Sequence, residues 1–128
     1  MVPARRPLGM AFFTLALGGA AAAAGSVPGV ESRVQRVEAL LGEARFREAA
    51  LQAPAVRRDV LAMSPSSATR RLLVRTEVAA ATAALALRQE MAARICFLRA
   101  LQIEPTLSLT SGAPPKLRRA FNAARSGN

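Results

Sequence analysis

Apolar residues recur along the chain at helical spacing, and no segment alternates convincingly with a period of two. This pattern predicts an all-α fold in which short polar or proline-containing segments separate the helices. The predicted helices cover residues 31–41, 44–63, 68–87, 90–103 and 116–125. A turn is expected at Gly42-Glu43, and the loop over 106–115 is rich in Ser, Thr, Gly and Pro.

The helix over 68–87 is apolar on two sides. One stripe contains Leu72, Leu73, Ala80, Ala83, Ala84 and Leu87, and the other contains Val74, Val78, Ala81 and Leu85. No charge lies between Glu77 and Arg88. A helix with two apolar faces is buried between neighbours, so this helix is predicted to be the centre of the fold, with Ser66 or Ser67 as its cap.

Pro54 interrupts the apolar pattern over 44–63. Proline lacks the backbone N–H and clashes with the preceding turn of a helix. We therefore expect a kink at Pro54, or a break of this helix into two pieces.

The first 24 residues have the features of an export signal. Arg5 and Arg6 precede an uncharged stretch from Leu8 to Ala24, and its alanine-rich end fits a signal-peptidase site. A membrane-spanning helix needs about 20 apolar residues, and the strongly apolar part here is shorter. We expect cleavage and a periplasmic or secreted protein with no spanning helix; an uncleaved anchor is the alternative. The predicted organisation is a signal peptide over 1–24, a linker over 25–30, a helical repeat-like domain over 31–105, a loop over 106–115 and a C-terminal helix over 116–125.

The composition excludes several kinds of chemistry. The 128 residues include no His, no Trp, no Tyr and one Cys, although 52% are hydrophobic. Histidine catalysis, a Cys/His zinc site and an internal disulfide are therefore not expected. Glu43 and Glu48, with Arg45 and Arg47 between them, are interpreted as surface ion pairs rather than a catalytic pair. Neither an enzymatic activity nor a cofactor is predicted.

Two local charges have simple interpretations. Asp59 directly follows Arg57-Arg58 and is expected to be their counter-charge. Cys96 is either a small buried hydrophobic residue or the site of an intermolecular disulfide.

The segment over 85–105 resembles the second half of a tetratricopeptide repeat, in which A-x₃-F and a later proline close a helical hairpin. The residues that carry the resemblance are Ala93, Phe97, Ala100, Leu101 and Pro105. Ala93 and Ala100 let two helices approach, Phe97 fills the space between them, and Pro105 ends the helix. Glu77 departs from the repeat, which has tryptophan there. The resemblance implies two repeat-like helical hairpins; an unrelated small helical bundle is the alternative.

A second copy of the pattern is less regular. Phe46 to Ala49 resembles the start of an equivalent helix, but Ala49 and Ala93 are 44 residues apart, and Pro54 does not fit the repeat. The whole chain also resembles short exported repeat-type proteins of GC-rich bacteria, in Pro115-Lys116 and in residues 121–125.

The chain is strongly basic. It carries 18 basic and 8 acidic residues, for a formal net charge of +10. Three groups of arginines near predicted helix ends form a candidate anion-binding set: Arg57, Arg58, Arg70, Arg71, Arg75, Arg118, Arg119 and Arg125. Without stacking aromatic residues among them, an acidic protein or an anionic envelope surface is a better expected partner than nucleic acid. A solvated positive face and a genomic preference for arginine are equally consistent with this composition.

These observations lead to two functional hypotheses. The first is an exported interaction module, a scaffold or adaptor, with a protein partner or self-association. Self-association is considered because two hairpins are fewer than the three repeats that such arrays usually need. The second is a basic envelope-associated protein that binds anionic lipid or polymer electrostatically.

The last helix is predicted to cap the array. A stripe on the outer side of the helix over 90–103 would otherwise stay uncovered, and Leu117 with Phe121 is expected to dock beside it. These residues form the candidate partner surface if the last helix is free instead: Met91, Ile95, Leu98, Leu117 and Phe121.

Overall fold

A computed structural model describes residues 27–127, so the predicted signal peptide and the first two residues of the predicted linker lie outside the described residues. The described chain consists of helices and their connections, which confirms the predicted all-α fold. The helices are α1 (Val27–Gly42), α2 (Phe46–Leu61), α3 (Ser67–Ala86), α4 (Glu90–Ile103) and α5 (Pro115–Ser126).

Two prolines are accommodated differently from the sequence-based expectation. Helix α1 begins at Val27, so residues 27–30 are helical and were wrongly assigned to a linker. Pro28 is tolerated because N–H groups in a first helical turn have no intrahelical acceptor. Helix α2 runs without interruption through Pro54, so the expected break into two pieces does not occur. Pro54 is exposed, where its ring meets solvent rather than a neighbouring helix.

Helix α3 is the centre of the described fold, as predicted. It packs against α1, α2 and α4, whereas α5 packs mainly against α4. Ser66 caps α3: its hydroxyl accepts a hydrogen bond from the Thr69 N–H at 3.1 Å, and its own N–H donates to the Thr69 hydroxyl at 2.8 Å. This reciprocal pair satisfies two donors at the start of the helix and fixes where it begins.

The two faces of α3 separate the core into two clusters. The first cluster joins α1 and α2 to one face of α3: Val30, Val34, Val37, Leu40, Ala49, Ala53, Val56, Val60, Leu72, Ala79 and Ala83. The second joins the other face to α4 and α5: Ala81, Ala84, Leu85, Ala93, Phe97, Leu101, Phe121 and Ala124. Many of these residues are alanines, which let the helix backbones approach closely.

The turns between α1 and α2 and between α3 and α4 have the same geometry. Ala44 and Arg88, which are 44 residues apart, both adopt left-handed backbone conformations, with φ of 61° and 63°. Each follows a helix end and takes part in the paired hydrogen bonds of a Schellman motif. The bonds run at 2.8–3.0 Å from Arg45 to Leu40, Ala44 to Leu41, Gln89 to Ala84 and Arg88 to Leu85.

The 44-residue spacing continues into the core. Corresponding buried pairs are Val30 and Val74, Val37 and Ala81, Leu40 and Ala84, Ala49 and Ala93, Ala53 and Phe97, and Val56 and Ala100. The described chain therefore contains two helical hairpins of equivalent construction, α1–α2 and α3–α4, despite little sequence similarity between them.

Glycine at either turn is expected to stabilise the protein. An L-residue with positive φ is strained by about 1–2 kcal/mol, which glycine avoids at a smaller entropic cost. We expect Ala44→Gly and Arg88→Gly each to raise the free energy of unfolding by about 0.5–1 kcal/mol in a urea titration. The control is Ala39→Gly, at an exposed position inside α1, which should lower it by about 1 kcal/mol. Destabilisation by Ala44→Gly would contradict the turn geometry.

The connection from α4 to α5 returns along α3. Residues 108–110 and 112–114 line the same groove as Val74 and Thr82, and α5 starts beside the C-terminal end of α3. At the other end of α5, Arg125 donates a hydrogen bond to the Leu107 carbonyl, just beyond α4. Helix α5 therefore starts at the same end of the molecule as α4 and does not continue the up-and-down order of the four helices before it.

Helix α5 docks on α4 as predicted, and Leu117 and Leu98 pack against the same core cluster. Phe121, however, is buried against the inner face of α4 and not against the outer stripe. The Phe97 and Phe121 rings meet edge to face, with centroids 5.3 Å apart, and both residues are buried. The docking of Phe121 is thus directed at the inner face of α4. Met91 remains 73% exposed and Ile95 46% exposed, so the outer stripe stays largely uncovered.

None of the helices in the described part of the chain combines the length and apolar character that crossing a membrane requires.

Candidate functional site

An open groove, here called the inner groove, runs between α1, α3 and the returning connection. It encloses about 440 Å³. Its floor is apolar, with Leu41, Val74, Val78 and Leu117, and exposed residues of the connection such as Ser108 form its edge. A second cavity of about 340 Å³ adjoins it through Leu41, Thr82 and Leu117 and extends to Phe46 and Lys116. An apolar floor with a polar edge is typical of sites that bind organic or polypeptide ligands.

A bidentate ion pair forms part of the inner groove wall. The Arg75 guanidinium donates to both carboxylate oxygens of Glu38, at 2.7 Å and 3.1 Å, and lies 3.8 Å from a Glu31 oxygen. Hydrogen bonding with Glu38 raises the pKa of Arg75. Since α1 carries the carboxylates and α3 the guanidinium, this pair fixes the two walls relative to one another.

A separate concavity, here called the basic cleft, lies between the starts of α4 and α5. It encloses about 410 Å³, with Leu85 and Ala120 among its apolar lining. Three cations line it: Arg94 from α4, and Lys116 and Arg119 from α5. Leu85 and Lys116 border both the basic cleft and the second cavity, so among the described residues the cleft is connected to the inner groove only through that cavity.

The third feature is a buried carboxylate between the two hairpins. Glu77 of α3 is 1% exposed, and its Oε2 accepts a hydrogen bond from Arg57 Nε of α2 at 2.7 Å. Arg99 of α4 lies 3.9 Å from Oε1, too far for a hydrogen bond, and Oε1 has no hydrogen-bond partner in the described chain. Three helices therefore meet around one carboxylate.

The same environment suppresses the reactivity of Cys96. The thiol is partly buried, and burial, followed by the nearby Glu77 carboxylate, raises its pKa from 9.0 to about 11. The thiolate is the reactive form of cysteine, so Cys96 behaves as a small hydrophobic residue rather than a nucleophile near neutral pH.

The raised pKa predicts the pH dependence of alkylation. In the native protein, the rate of Cys96 alkylation by iodoacetamide should still be rising at about pH 10, because the thiol remains mostly protonated below a pKa of about 11. In concentrated guanidinium chloride the rate should level off above about pH 9, since an unperturbed cysteine has a pKa of about 8.5. A plateau of the native rate below pH 9 would contradict the assigned environment.

The structure divides the eight arginines that were considered for anion binding. Three of them are engaged within the chain: Arg57 with Glu77, Arg75 with Glu38, and Arg125 with the Leu107 carbonyl and the Phe121 ring, whose centroid is 4.9 Å away. The other five are exposed and have no carboxylate partner among the described residues: Arg58, Arg70, Arg71, Arg118 and Arg119. The first three of these lie near the connection from α2 to α3, and the last two lie on α5 near the opposite end.

The residues assigned to repeat packing are mostly in the core. Ala93, Phe97, Ala100 and Leu101 are buried, and Pro105 lies in an exposed turn just after α4. Phe121 is 3% exposed, so its inclusion in a partner surface was wrong for this fold. Of the other candidates for that surface, Leu98 and Leu117 are half-buried, and Met91 and Ile95 are exposed.

The predicted surface charges are partly confirmed. Arg45 forms ion pairs with Glu43, at 3.3 Å, and with Glu48. This agrees with the interpretation of the two carboxylates as members of surface ion pairs. Asp59 does not neutralise its neighbours Arg57 and Arg58; it pairs with Arg33 of α1. The error arises because Asp59 is directed across the hairpin rather than along its own helix.

Sequence reasoning missed the burial of Glu77. A signal was present, because the residues one turn before and after it on α3 are Leu73, Val74, Ala80 and Ala81. A lone carboxylate within an apolar helix face points to a buried pair with a cation from another helix. Which cation that is depends on the packing of α2 and α4, which this local pattern does not specify.

In the part of the chain that the structure describes, no group of three or more His, Cys, Asp or Glu side chains is arranged to hold a metal ion. In comparisons with known proteins, no family model matches this sequence, and it shows no significant similarity to a curated protein or to a solved structure.

Proposed function

We propose that this protein is an exported, non-catalytic interaction module, a scaffold or adaptor, that binds a segment of a partner protein in the inner groove. The export expected from residues 1–24 is part of this proposal. So is the relationship to tetratricopeptide repeats, which the two equivalent hairpins support. The observation that carries the proposal is the groove itself, with its apolar floor, its polar edge and its wall fixed by the Arg75–Glu38 pair.

The ends of the stacked hairpins favour a partner over self-association. The outward side of α1 carries polar exposed residues such as Ser32, Gln35 and Arg36, and that of α5 carries Arg118 and Asn122. Polar outer faces are how repeat arrays end. With both ends closed in this way, the fold does not need a second copy to cover its terminal helices.

A blocking substitution in the connection tests the proposal. Ser108 is exposed on the groove edge, whereas Thr106 is exposed in the same connection and does not line the groove. We expect Ser108→Trp to fill the groove and to abolish co-purification of the partner from the native host, and Thr106→Trp to leave it intact. The partner identified in this way is then bound to both variants in purified form.

The tryptophan also reports occupancy. The natural chain contains no Trp, so each variant has a single tryptophan fluorophore. Purified partner should bind Thr106→Trp and shift its emission only slightly, because residue 106 lies outside the groove. It should not bind Ser108→Trp, whose emission should therefore stay unchanged. Equal partner binding by the two variants, with unchanged circular dichroism, would overturn the groove as the binding site.

The alternative function, electrostatic binding to an anionic envelope surface, has one observation in its favour. The five unpaired arginines are exposed, and each adds positive potential. Their division between two ends of the molecule favours it less than a single basic face would. Co-sedimentation with anionic vesicles, lost when Arg70 and Arg71 are replaced by glutamine, would support this alternative over the first proposal.

A further inference from the structure

The basic cleft has an excess of positive charge that the chain does not neutralise. Arg94, Lys116 and Arg119 line it against a single acidic residue, Glu90. None of these four side chains forms an ion pair with another residue of the described chain. Most other carboxylates of the described chain are already paired, so the cations of this cleft are available to an anionic group of a partner.

The cleft also offers apolar contact. Met91 lines it and is 73% exposed, while Leu85 and Ala120 contribute to the same lining. An unbranched thioether adapts to side chains of different shape, which suits a surface that accepts an apolar residue of a partner. A cleft of about 410 Å³ has room for one large side chain together with the carboxylates beside it.

We propose that the basic cleft selects an acidic segment of the partner protein. Carboxylates of the segment contact Arg94, Lys116 and Arg119, and an apolar residue between them packs on Met91. This inference rests on the proposed function and names its partner chemistry. The second cavity borders the inner groove on one side and, through Leu85 and Lys116, the cleft on the other. A chain that leaves the inner groove therefore reaches the cleft through that cavity.

The geometry favours a peptide over other anionic partners. The three cations line a concavity, which a protruding peptide side chain can enter and the broad surface of a bilayer cannot. None of the cleft residues is aromatic, so there is no surface on which nucleic-acid bases would stack. Guanidinium groups pair with carboxylates in bidentate geometry, which gives an acidic peptide both affinity and orientation.

A labelled peptide of glutamate pairs flanking single leucines serves as the probe, with fluorescence anisotropy as the readout. Binding should weaken at least tenfold in Arg94→Glu/Arg119→Glu, since each lost charge-assisted contact is worth about tenfold or more. The matched control is Arg36→Glu/Arg47→Glu, which changes the net charge equally on the first hairpin and should bind within about twofold of the natural protein. All four arginines are exposed, and Arg94→Gln/Arg119→Gln repeats the test without charge reversal.

Two altered peptides test the chemistry. Replacing glutamate by lysine should abolish binding, and replacing leucine by alanine should weaken it severalfold. Affinity should also fall at least tenfold between about 0.05 M and about 0.5 M salt. Equal binding of the lysine peptide, equal loss in the two double variants, or no binding to the natural protein would each overturn the inference.

The inference and the proposed function fail in different ways. Loss of the native partner in Ser108→Trp, together with an unchanged peptide affinity in the cleft variant, overturns only the role of the cleft. Retention of the native partner in Ser108→Trp overturns the groove function whatever the peptide does. Binding of the natural protein to phosphatidylglycerol vesicles but not to the peptide replaces the acidic segment by a lipid surface and overturns the inference.

Discussion

Replacing Phe97 with alanine is expected to lower the free energy of unfolding by about 4 kcal/mol, the largest effect of any single substitution considered for this chain. Phe97 is completely buried, and it is the largest fully buried side chain of the described residues. Its ring belongs to the cluster that joins α3, α4 and α5, in which four of the other seven buried residues are alanines, too short to close a cavity. Urea denaturation followed by circular dichroism gives the change directly.

Phe121 and Phe46 provide the controls for this prediction. Phe121→Ala should cost about 3 kcal/mol, and Phe97→Ala/Phe121→Ala should cost less than the two separate changes together, because the edge-to-face contact is lost only once. Phe46 is only partly buried at the start of α2, and Phe46→Ala should cost clearly less. Equal costs for Phe97→Ala and Phe46→Ala would contradict the second core cluster as described.

Removing the partner of the buried carboxylate is expected to have the second-largest effect. Arg57→Ala leaves Glu77 between two hairpins without its hydrogen bond, and breaking such a buried pair costs about 3 kcal/mol. The effect lies at the low end of the usual range because the Arg57 side chain is 34% exposed and Arg99 remains near the other oxygen. The measurement is again the free energy of unfolding, from denaturant titration.

The neighbouring arginine is the matched control. Arg58 is exposed and unpaired in the described chain, so Arg58→Ala should change stability by less than about 0.5 kcal/mol. Arg57→Met/Glu77→Met should recover most of the loss, because replacing both members of a buried pair by apolar residues removes the uncompensated charge. If Arg57→Ala and Arg58→Ala have the same free energy of unfolding, the contact between Arg57 and Glu77 does not stabilise the fold.

Local patterns predicted the helices well because the outer helices bury one face and α3 buries two, and each arrangement leaves its own apolar spacing in the sequence. The spacing of apolar residues defined α4 to the residue and α3 to within one residue at each end. The errors lie where backbone chemistry overrides that pattern: Pro28 inside a first turn, and Pro54 on the exposed side of α2. Placing Pro54 requires knowing which side of α2 faces solvent, whereas Pro28 is tolerated only because the helix starts one residue before it.

The candidate site was less predictable than the fold. The sequence identifies an amphipathic last helix, but its docking face depends on the path of residues 104–114, which return along α3 rather than forming a tight hairpin. The basic cleft arises from that path, because it brings Lys116 and Arg119 beside Arg94, more than twenty positions away in the chain. Of the eight arginines that the sequence suggested for anion binding, only Arg119 lines this cleft; the fold pairs the others within the chain or places them elsewhere.

Because the turns at Ala44 and Arg88 have the same geometry, the chain could be extended by repeating the 44-residue segment between them. Residues 43–86 contain one complete step from turn to turn, so a second copy inserted after Ala86 would present α4 and α5 with the same preceding helix end that they have now. Stability in such stacked arrays grows with each added neighbour interface. The fold can thus be lengthened by whole 44-residue units. Its first and last helices would stay the same, and only the number of interior hairpins would change.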